Sequence, residues 1–483
     1  MSFENKTVKQ QLLPLEAPPS SRLAVIRRFC VSTAFMWLEF LCGAAFMLTD
    51  HAVASSVFFL ALISALLFIC DDVLTTTLPF LLLCISVLVC YDSFDTFIKF
   101  VWLAPLPLSA LIFHFVRYAR PFTVGDSLWG HVGVSVAVIL GGVGAIGPDD
   151  YFSGSSVYYV TMLGVGLLAT YVLMKSQLRP RADYDIREKL ITVMLIAGIF
   201  ACLEVAYLVC RVSLEFSLSF GQFAEYFLKT TGSSQSIDPA ALPLIERIMQ
   251  PSNNLSTFLM MLLPVTFSRA VRKNAAYSLV SLLFLAGLFF TKSRSGLLLG
   301  GVEFVICIIA FSLLIERRAL KYTFFTLGVL LLLAGGIAIA RFLLDPSTSV
   351  TGEVRYSLFL RSVEDFKSNP LFGQGLGSRS NVDLYPGKTG TIIWYHMMIP
   401  QIIGSMGVVG ILGYGLQLFI RVRLAVKHLS EYTVVFFMSY FGLFLMSQLN
   451  PGEFCPIPYG LIAVLLFIMI ENEPEHRANK SQI

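Results

Sequence analysis

HMMIPQIIGSMGVVGILGYGLQLFI, residues 396–420, contains no acidic residue, lysine or arginine over its whole length. About 17–25 apolar residues in helical form cross the hydrocarbon core of a bilayer, so this run predicts a membrane-spanning helix. The same criterion, applied outward from it, gives about fourteen candidate spans. They lie at 29–48, 52–70, 73–90, 97–116, 130–147, 156–175, 190–210, 254–270, 275–291, 297–315, 323–341, 396–420, 432–449 and 458–471. The composition agrees: the 483 residues are 56% hydrophobic and only 14% charged, with a mean hydropathy of +0.75. The predicted fold class is therefore all-α, a polytopic transmembrane bundle of about 12–14 spans. Residues 1–28 and 472–483 are expected to be tails.

Orientation follows from the basic residues, because cytoplasmic loops are enriched in lysine and arginine. With the N-terminus inside, Arg22, Arg27, Arg28, Arg117, Arg120, Lys175, Arg179, Arg181, Arg187, Lys189, Arg269, Arg272, Lys273, Arg317, Arg318, Lys321, Arg421, Arg423 and Lys427 all fall on inner segments. Both termini are thus predicted to be cytoplasmic. The two long loops, 211–253 and 342–395, then face outward. The net charge of +4 resides mostly in these short inner loops, which gives no basis for nucleic-acid binding. The nine cysteines lie mainly in or beside apolar spans without ligand spacing, and they read as small core residues. His51, His114, His131, His428 and His476 form no pattern with His396, so no metal site is indicated. Glu39, Glu204 and Glu303 lie inside spans, where acids are functional candidates in proton or ion coupling.

The basic residues on the outer side are the informative ones. Arg211 and Arg341 end outward-running helices, where a cation suits the dipole, and Arg247 has Glu246 and Asp238 close in sequence. Lys292 and Arg294 differ. Thr291-Lys292-Ser293-Arg294-Ser295-Gly296 opens a span whose partially positive N-terminus faces outward, so two cations there are unfavourable unless an anion joins them. The alternative is a short loop whose charges are screened by water.

In the loop 342–395, Glu353 to Ser368 (EVRYSLFLRSVEDFKS) predicts an amphipathic helix, with Tyr356, Phe359, Leu360, Val363 and Phe366 on one face. At ~100° per residue Arg355 falls at the edge of that face and is expected to point inward. Arg361, Glu364 and Asp365 are expected on the polar side. Asn369-Pro370 ends the helix. Gly373, Gly375 and Gly377 then alternate in LFGQGLG, allowing either a flexible turn or close approach by another group. His396 begins the next span with Pro400, Gly404, Gly407 and Gly410 on its side, and such small residues admit another helix. It reads equally as a bundle-facing or an interfacial histidine.

Two blocks, TKSRSG at 291–296 and Arg355…NPLFGQGLG…His396, together resemble the shared C-terminal region of the bacterial O-antigen ligase and O-antigen polymerase superfamily. The resemblance covers about residues 285–420 and departs from the family after the histidine, where this chain has Met397-Met398-Ile399. It implies a metal-independent, cofactor-free membrane glycosyltransferase of the bacterial cytoplasmic membrane. The donor would be a glycan on undecaprenyl diphosphate, the acceptor another glycan or a lipid-linked molecule, and membrane lipids would surround the site. Arg294, Arg355 and Lys292 would bind the diphosphate, and His396 would act as base. The competing class is a transporter or flippase for lipid-linked or anionic solutes, which predicts a polar path across the membrane and repeat symmetry.

Overall fold

The computed structural model describes residues 22–49, 52–89, 101–119, 121–144, 160–178, 185–228, 237–238, 240–249, 252–344, 350–376, 395–450, 452–454 and 457–473, and all regular structure among them is helical. The α-helices are α1 (Arg22–Val31), α2 (Thr33–Leu48), α3 (Ala52–Ile69), α4 (Thr77–Val89), α5 (Pro105–Tyr118), α6 (Asp126–Gly144), α7 (Leu167–Gln177), α8 (Ile186–Glu215), α9 (Phe220–Phe223), α10 (Leu242–Ile248), α11 (Ser252–Arg272), α12 (Tyr277–Phe290), α13 (Arg294–Ser312), α14 (Arg318–Leu344), α15 (Val350–Ser368), α16 (Met398–Lys427), α17 (Glu431–Ser447) and α18 (Ile457–Glu471). A helix therefore stands at every expected span. Five of them, α8, α11, α13, α14 and α16, are long and apolar enough to cross a membrane, and α1 with α2 makes a sixth if their 66° bend lies within one span. Shorter apolar helices occupy α3, α4, α6, α12, α17 and α18.

The centre of the bundle is built on α8 and α11, whose apolar stretches are 72% and 78% buried, whereas that of α14 is 6% buried and belongs to the periphery. Glycines set how closely the inner helices approach. Gly133 of α6 meets Gly413 of α16 so tightly that a Cβ on Gly413 would stand 2.5 Å from the Gly133 carbonyl oxygen. Small residues at such crossings let backbones come together where lipid supplies no hydrophobic drive.

One end of the bundle gathers the basic residues expected on the inner side, and each cation named here has an acid. Arg269 and Arg272 both hold Glu188 at 2.5 Å, and Arg272 also reaches Glu431 at 2.8 Å. Arg187 bridges Asp185 (2.7 Å) and Glu473 (2.9 Å), while Lys175 pairs with Glu471 at 3.2 Å. Lys427 lies 3.7 Å from Asp126. A cavity of ≈ 270 Å³ opens at this end, lined in part by Asp126, Lys175, Lys427, His428 and Glu471.

Arg421, expected on an inner segment, is only 4% exposed and bonds Glu453 at 3.0 Å, its guanidinium lying 4.4 Å from the Tyr440 ring centre and 5.1 Å from that of Phe467. Gly452, Glu453 and Phe454, from the short connection between α17 and α18, are all buried. This segment folds into the bundle to bring the carboxylate to Arg421. The spans were assigned by hydropathy, which places a charge at the end of a run and cannot show that a distant acid meets it.

Removing one partner of such a pair leaves a buried charge alone. Arg421→Met should destabilise the protein by about 3–5 kcal/mol, and Arg421→Met with Glu453→Gln by distinctly less. Thermal unfolding in detergent checks this order, and equal losses in both variants would contradict it.

Candidate functional site

The opposite end of the bundle holds both sequence blocks. The chain leaves α12 at Thr291, takes a left-handed conformation at Lys292 (φ 63°) and enters α13 through Ser293, whose hydroxyl accepts the Gly296 N–H at 3.0 Å as an N-cap. The Ser293 hydroxyl donates to Asn253 Oδ1 at 2.6 Å, and the Thr291 and Ser256 hydroxyls lie 2.8 Å apart, so the first turn of α11 fixes this corner. A lysine in that backbone region is uncommon and needs surroundings that hold it there. Lys292 is half-buried with its ammonium 5.3 Å from the Tyr226 ring centre. Burial first, and then the Arg294 guanidinium, hold its pKa below the usual 10.5. Burial likewise pushes Tyr226 up to about 12. Arg294, the first residue of α13, is exposed and has no ion pair or side-chain hydrogen bond among the described residues.

The glycine run does admit another group, and that group is α16. The helix is interrupted at Gly407, whose φ of 57° and ψ of −147° are accessible in practice only to glycine. In an unbroken helix the Val408 and Val409 amides would bond the carbonyls of Gly404 and Ser405. Instead the Val408 N–H donates to Pro370 O (2.9 Å) and Val409 N–H to Leu371 O (3.2 Å). The two vacated carbonyls accept from Gln374 N–H (2.8 Å) and Gly375 N–H (2.9 Å). A Cβ on Gly373 (φ 66°) would stand 2.5 Å from Met406 N, and one on Gly407 2.5 Å from Pro370 O. Gly377 lies outside the described residues.

His396 is not the first residue of the helix. α16 begins at Met398, and His396 precedes it with a left-handed φ of 55°, half-buried. The glycine face of α16 therefore does not share a helical side with it: Gly404 makes room for the Tyr395 ring and Gly407 for the 370–371 backbone. Tyr395 is buried and fastened twice, its N–H donating to Gln401 Oε1 at 3.0 Å and its hydroxyl to the Asp365 carboxylate.

That last contact reverses the reading of α15. The face packed on α16 carries Leu358, Ser362 and Asp365, each no more than 7% exposed, while Tyr356, Phe359 and Leu360 are 63%, 40% and 43% exposed. Asp365 is buried, not on a solvated side. The helical period was readable, but period alone does not say whether an apolar face meets protein or lipid. Arg355 and Arg361 are both half-buried, so exposure does not separate them.

The two blocks share an end of the bundle through intermediaries. The Tyr459 hydroxyl donates to Asn254 O at 2.7 Å beside the Ser293–Asn253 bond, and Gln448 Nε2 reaches Met398 Sδ at 3.5 Å. No hydrogen bond or ion pair joins Arg294 to His396. Sequence reasoning missed Tyr395, Gln401 and Asp365; Tyr395 beside His396 was the available signal. No group of histidine, cysteine, aspartate and glutamate able to hold a metal occurs among the described residues. Compared with known proteins, the chain matches no family model and no characterised sequence.

Gly407→Ala should lose at least about 1–2 kcal/mol from the left-handed backbone alone, and more from the contact with Pro370. Gly415→Ala, on the same helix with open space around it, should be neutral or stabilise by up to ~1 kcal/mol. Unfolding temperatures of the two variants check this order, and equal losses would contradict it.

Proposed function

We propose that this protein transfers a glycan from an undecaprenyl-diphosphate-linked donor to a hydroxyl acceptor, glycan or lipid-linked, on the outer side of a bacterial cytoplasmic membrane. The observation that carries the reading is the corner 291–296, where a half-buried lysine in a left-handed backbone and an arginine without an ion pair stand at the N-terminus of α13. Two cations at the positive end of a helix repel one another and the helix dipole, and a doubly charged diphosphate relieves both. The proposal includes about 12–14 spans, cytoplasmic termini, and 342–395 as an extracytoplasmic loop.

The chemistry then follows. The acceptor oxygen attacks the anomeric carbon as the bond from that carbon to the diphosphate oxygen breaks. His396 takes the acceptor proton, and the electron pair leaves with the diphosphate, whose growing charge Arg294, Lys292 and Arg355 stabilise. Gln374 and Gly375 pair the chain between Arg355 and His396 to α16, and Gly373 permits the close approach. Guanidinium serves better than ammonium because its planar fork contacts two phosphate oxygens and stays charged.

A transporter for lipid-linked or anionic solutes is the second reading, favoured by the buried Arg421–Glu453 pair, since charges inside a membrane bundle often line a solute path.

Turnover of purified lipid-linked donor in detergent separates the two, because no gradient exists there. Arg294→Lys should lose most transfer and Lys367→Ala, at an exposed position, very little. His396→Ala should slow transfer roughly 10²–10⁴-fold with donor binding retained. Donor bound by folded protein but never transferred, with His396→Ala moving substrate normally in vesicles, would defeat the transferase reading.

Lys292 gives a pH signature. An anion favours its charged form, so affinity for the lipid diphosphate is complete below the pKa of the free protein and falls as pH rises through a window that opens below 10.5. Titrating binding from neutral to alkaline pH should show this decline, and Lys292→Gln should flatten it.

A further inference from the structure

Glu303 sits halfway along α13, away from the corner at its N-terminus. Its side chain is fully buried, and neither carboxylate oxygen has a hydrogen-bond partner among the described residues. The facing helix α17 places Gly442 against it: a Cβ there would stand 2.5 Å from Oε1 and 2.9 Å from both Cδ and Oε2. Any larger residue would displace the carboxyl. Ser439 precedes Gly442 by three residues, on the same side of α17, and its hydroxyl is also buried without a partner. A glycine cradle thus meets the carboxyl group, with a buried hydroxyl on the same side of the facing helix.

A bare carboxylate in this setting is prohibitively unfavourable, and natural proteins resolve it by pairing the charge or by binding a positive species. The surrounding helices supply no pair among the described residues. On α11, Arg269 and Arg272 are engaged with Glu188 at the basic end, and on α17 Glu431 is engaged with Arg272. α12 offers only Tyr277 at its start, and the described cations of α14, Arg318 and Lys321, lie in its first turn. The titratable neighbour is Cys307, one turn along α13. A neutral acid would still lack an acceptor for its proton unless the Ser439 oxygen took it. Oxygen donors of this kind suit a small hard cation.

We propose that Glu303 and Ser439, over the Gly442 cradle, form a binding site for a small monovalent cation, a proton or sodium, within the helix bundle. The site is independent of the corner at Lys292 and Arg294, and it stands whether or not the chain transfers glycans.

The test uses purified full-length protein and its Glu303→Gln variant in detergent, with no glycan present. Thermal unfolding is followed in sodium chloride and in choline chloride at equal ionic strength, and infrared spectra are recorded in H₂O and D₂O. If sodium is the occupant, the wild-type unfolding temperature rises saturably with sodium and the rise is lost in Glu303→Gln. If a proton is the occupant, sodium has no specific effect, but the wild type shows a protonated carboxyl band that shifts in D₂O and is missing from the variant. Gly442→Ala, which pushes on the carboxyl, should weaken whichever signal is found and serves if Glu303→Gln does not fold. A wild type showing neither signal, or a signal unchanged in both variants, overturns the proposal.

Discussion

A buried backbone amide that loses its partner is costly, and α16 gives up two of its own hydrogen bonds around Gly407. Both halves of each are taken up by residues 370–375. The pairing dictates much of what lies near it. It fixes where α15 ends, forces Gly373 and Gly407 into conformations that only glycine takes readily, and sets the packing of α15 on α16. Each of the four bonds adds only about 1 kcal/mol net, but leaving a buried member such as the Gly404 or Ser405 carbonyl unpaired would cost about 1–3 kcal/mol. An interrupted helix with an inserted segment is therefore an all-or-none arrangement: partial withdrawal of the segment exposes amides that have nowhere to go.

The same arrangement explains why the sequence was informative about some features and silent on others. Helix positions were legible because apolar length is a one-dimensional property, although only five or six of the helices are long and apolar enough to cross a membrane. The alternating glycines at 373 and 375 left a flexible turn and a close approach equally open. What approached was not legible, since Gly404, Gly407 and Gly410 fit a helix–helix crossing equally well; the crossing is made instead at Gly413. The face of α15 was misjudged for a related reason. A soluble amphipathic helix buries its apolar side, but the period alone does not show which side of a helix meets the rest of the protein. Here the hydrogen bond from Tyr395 to Asp365 holds the polar side inward.

Backbone strain could not be read at all. Lys292 and His396 share the left-handed region with only one other non-glycine residue, Ser217, among those described. Neither has a sequence neighbour that demands it. Strained residues cost about 1–3 kcal/mol each and persist where surrounding structure over-determines them. The serine, threonine and asparagine hydrogen bonds around Lys292, and the double fastening of Tyr395 before His396, are such determinants. Both side chains are thereby aimed by their neighbours and not by a regular helix.

Charge distribution separates the two ends of the bundle. At the basic end Arg187, Arg269, Arg272 and Lys175 are met by Asp185, Glu188, Glu431, Glu471 and Glu473, so these four cations are paired within the bundle. The corner at 291–296 is built the other way. Its polar partners are the neutral groups of Thr291, Ser256, Ser293 and Asn253, and the cation nearest Lys292 in its electrostatics is Arg294, which raises the cost of charging it. These neutral groups hold the backbone of the corner and carry no charge of their own; on the proposed reading, the phosphate groups of a lipid-linked donor would bring negative charge to Lys292 and Arg294 at the positive end of α13.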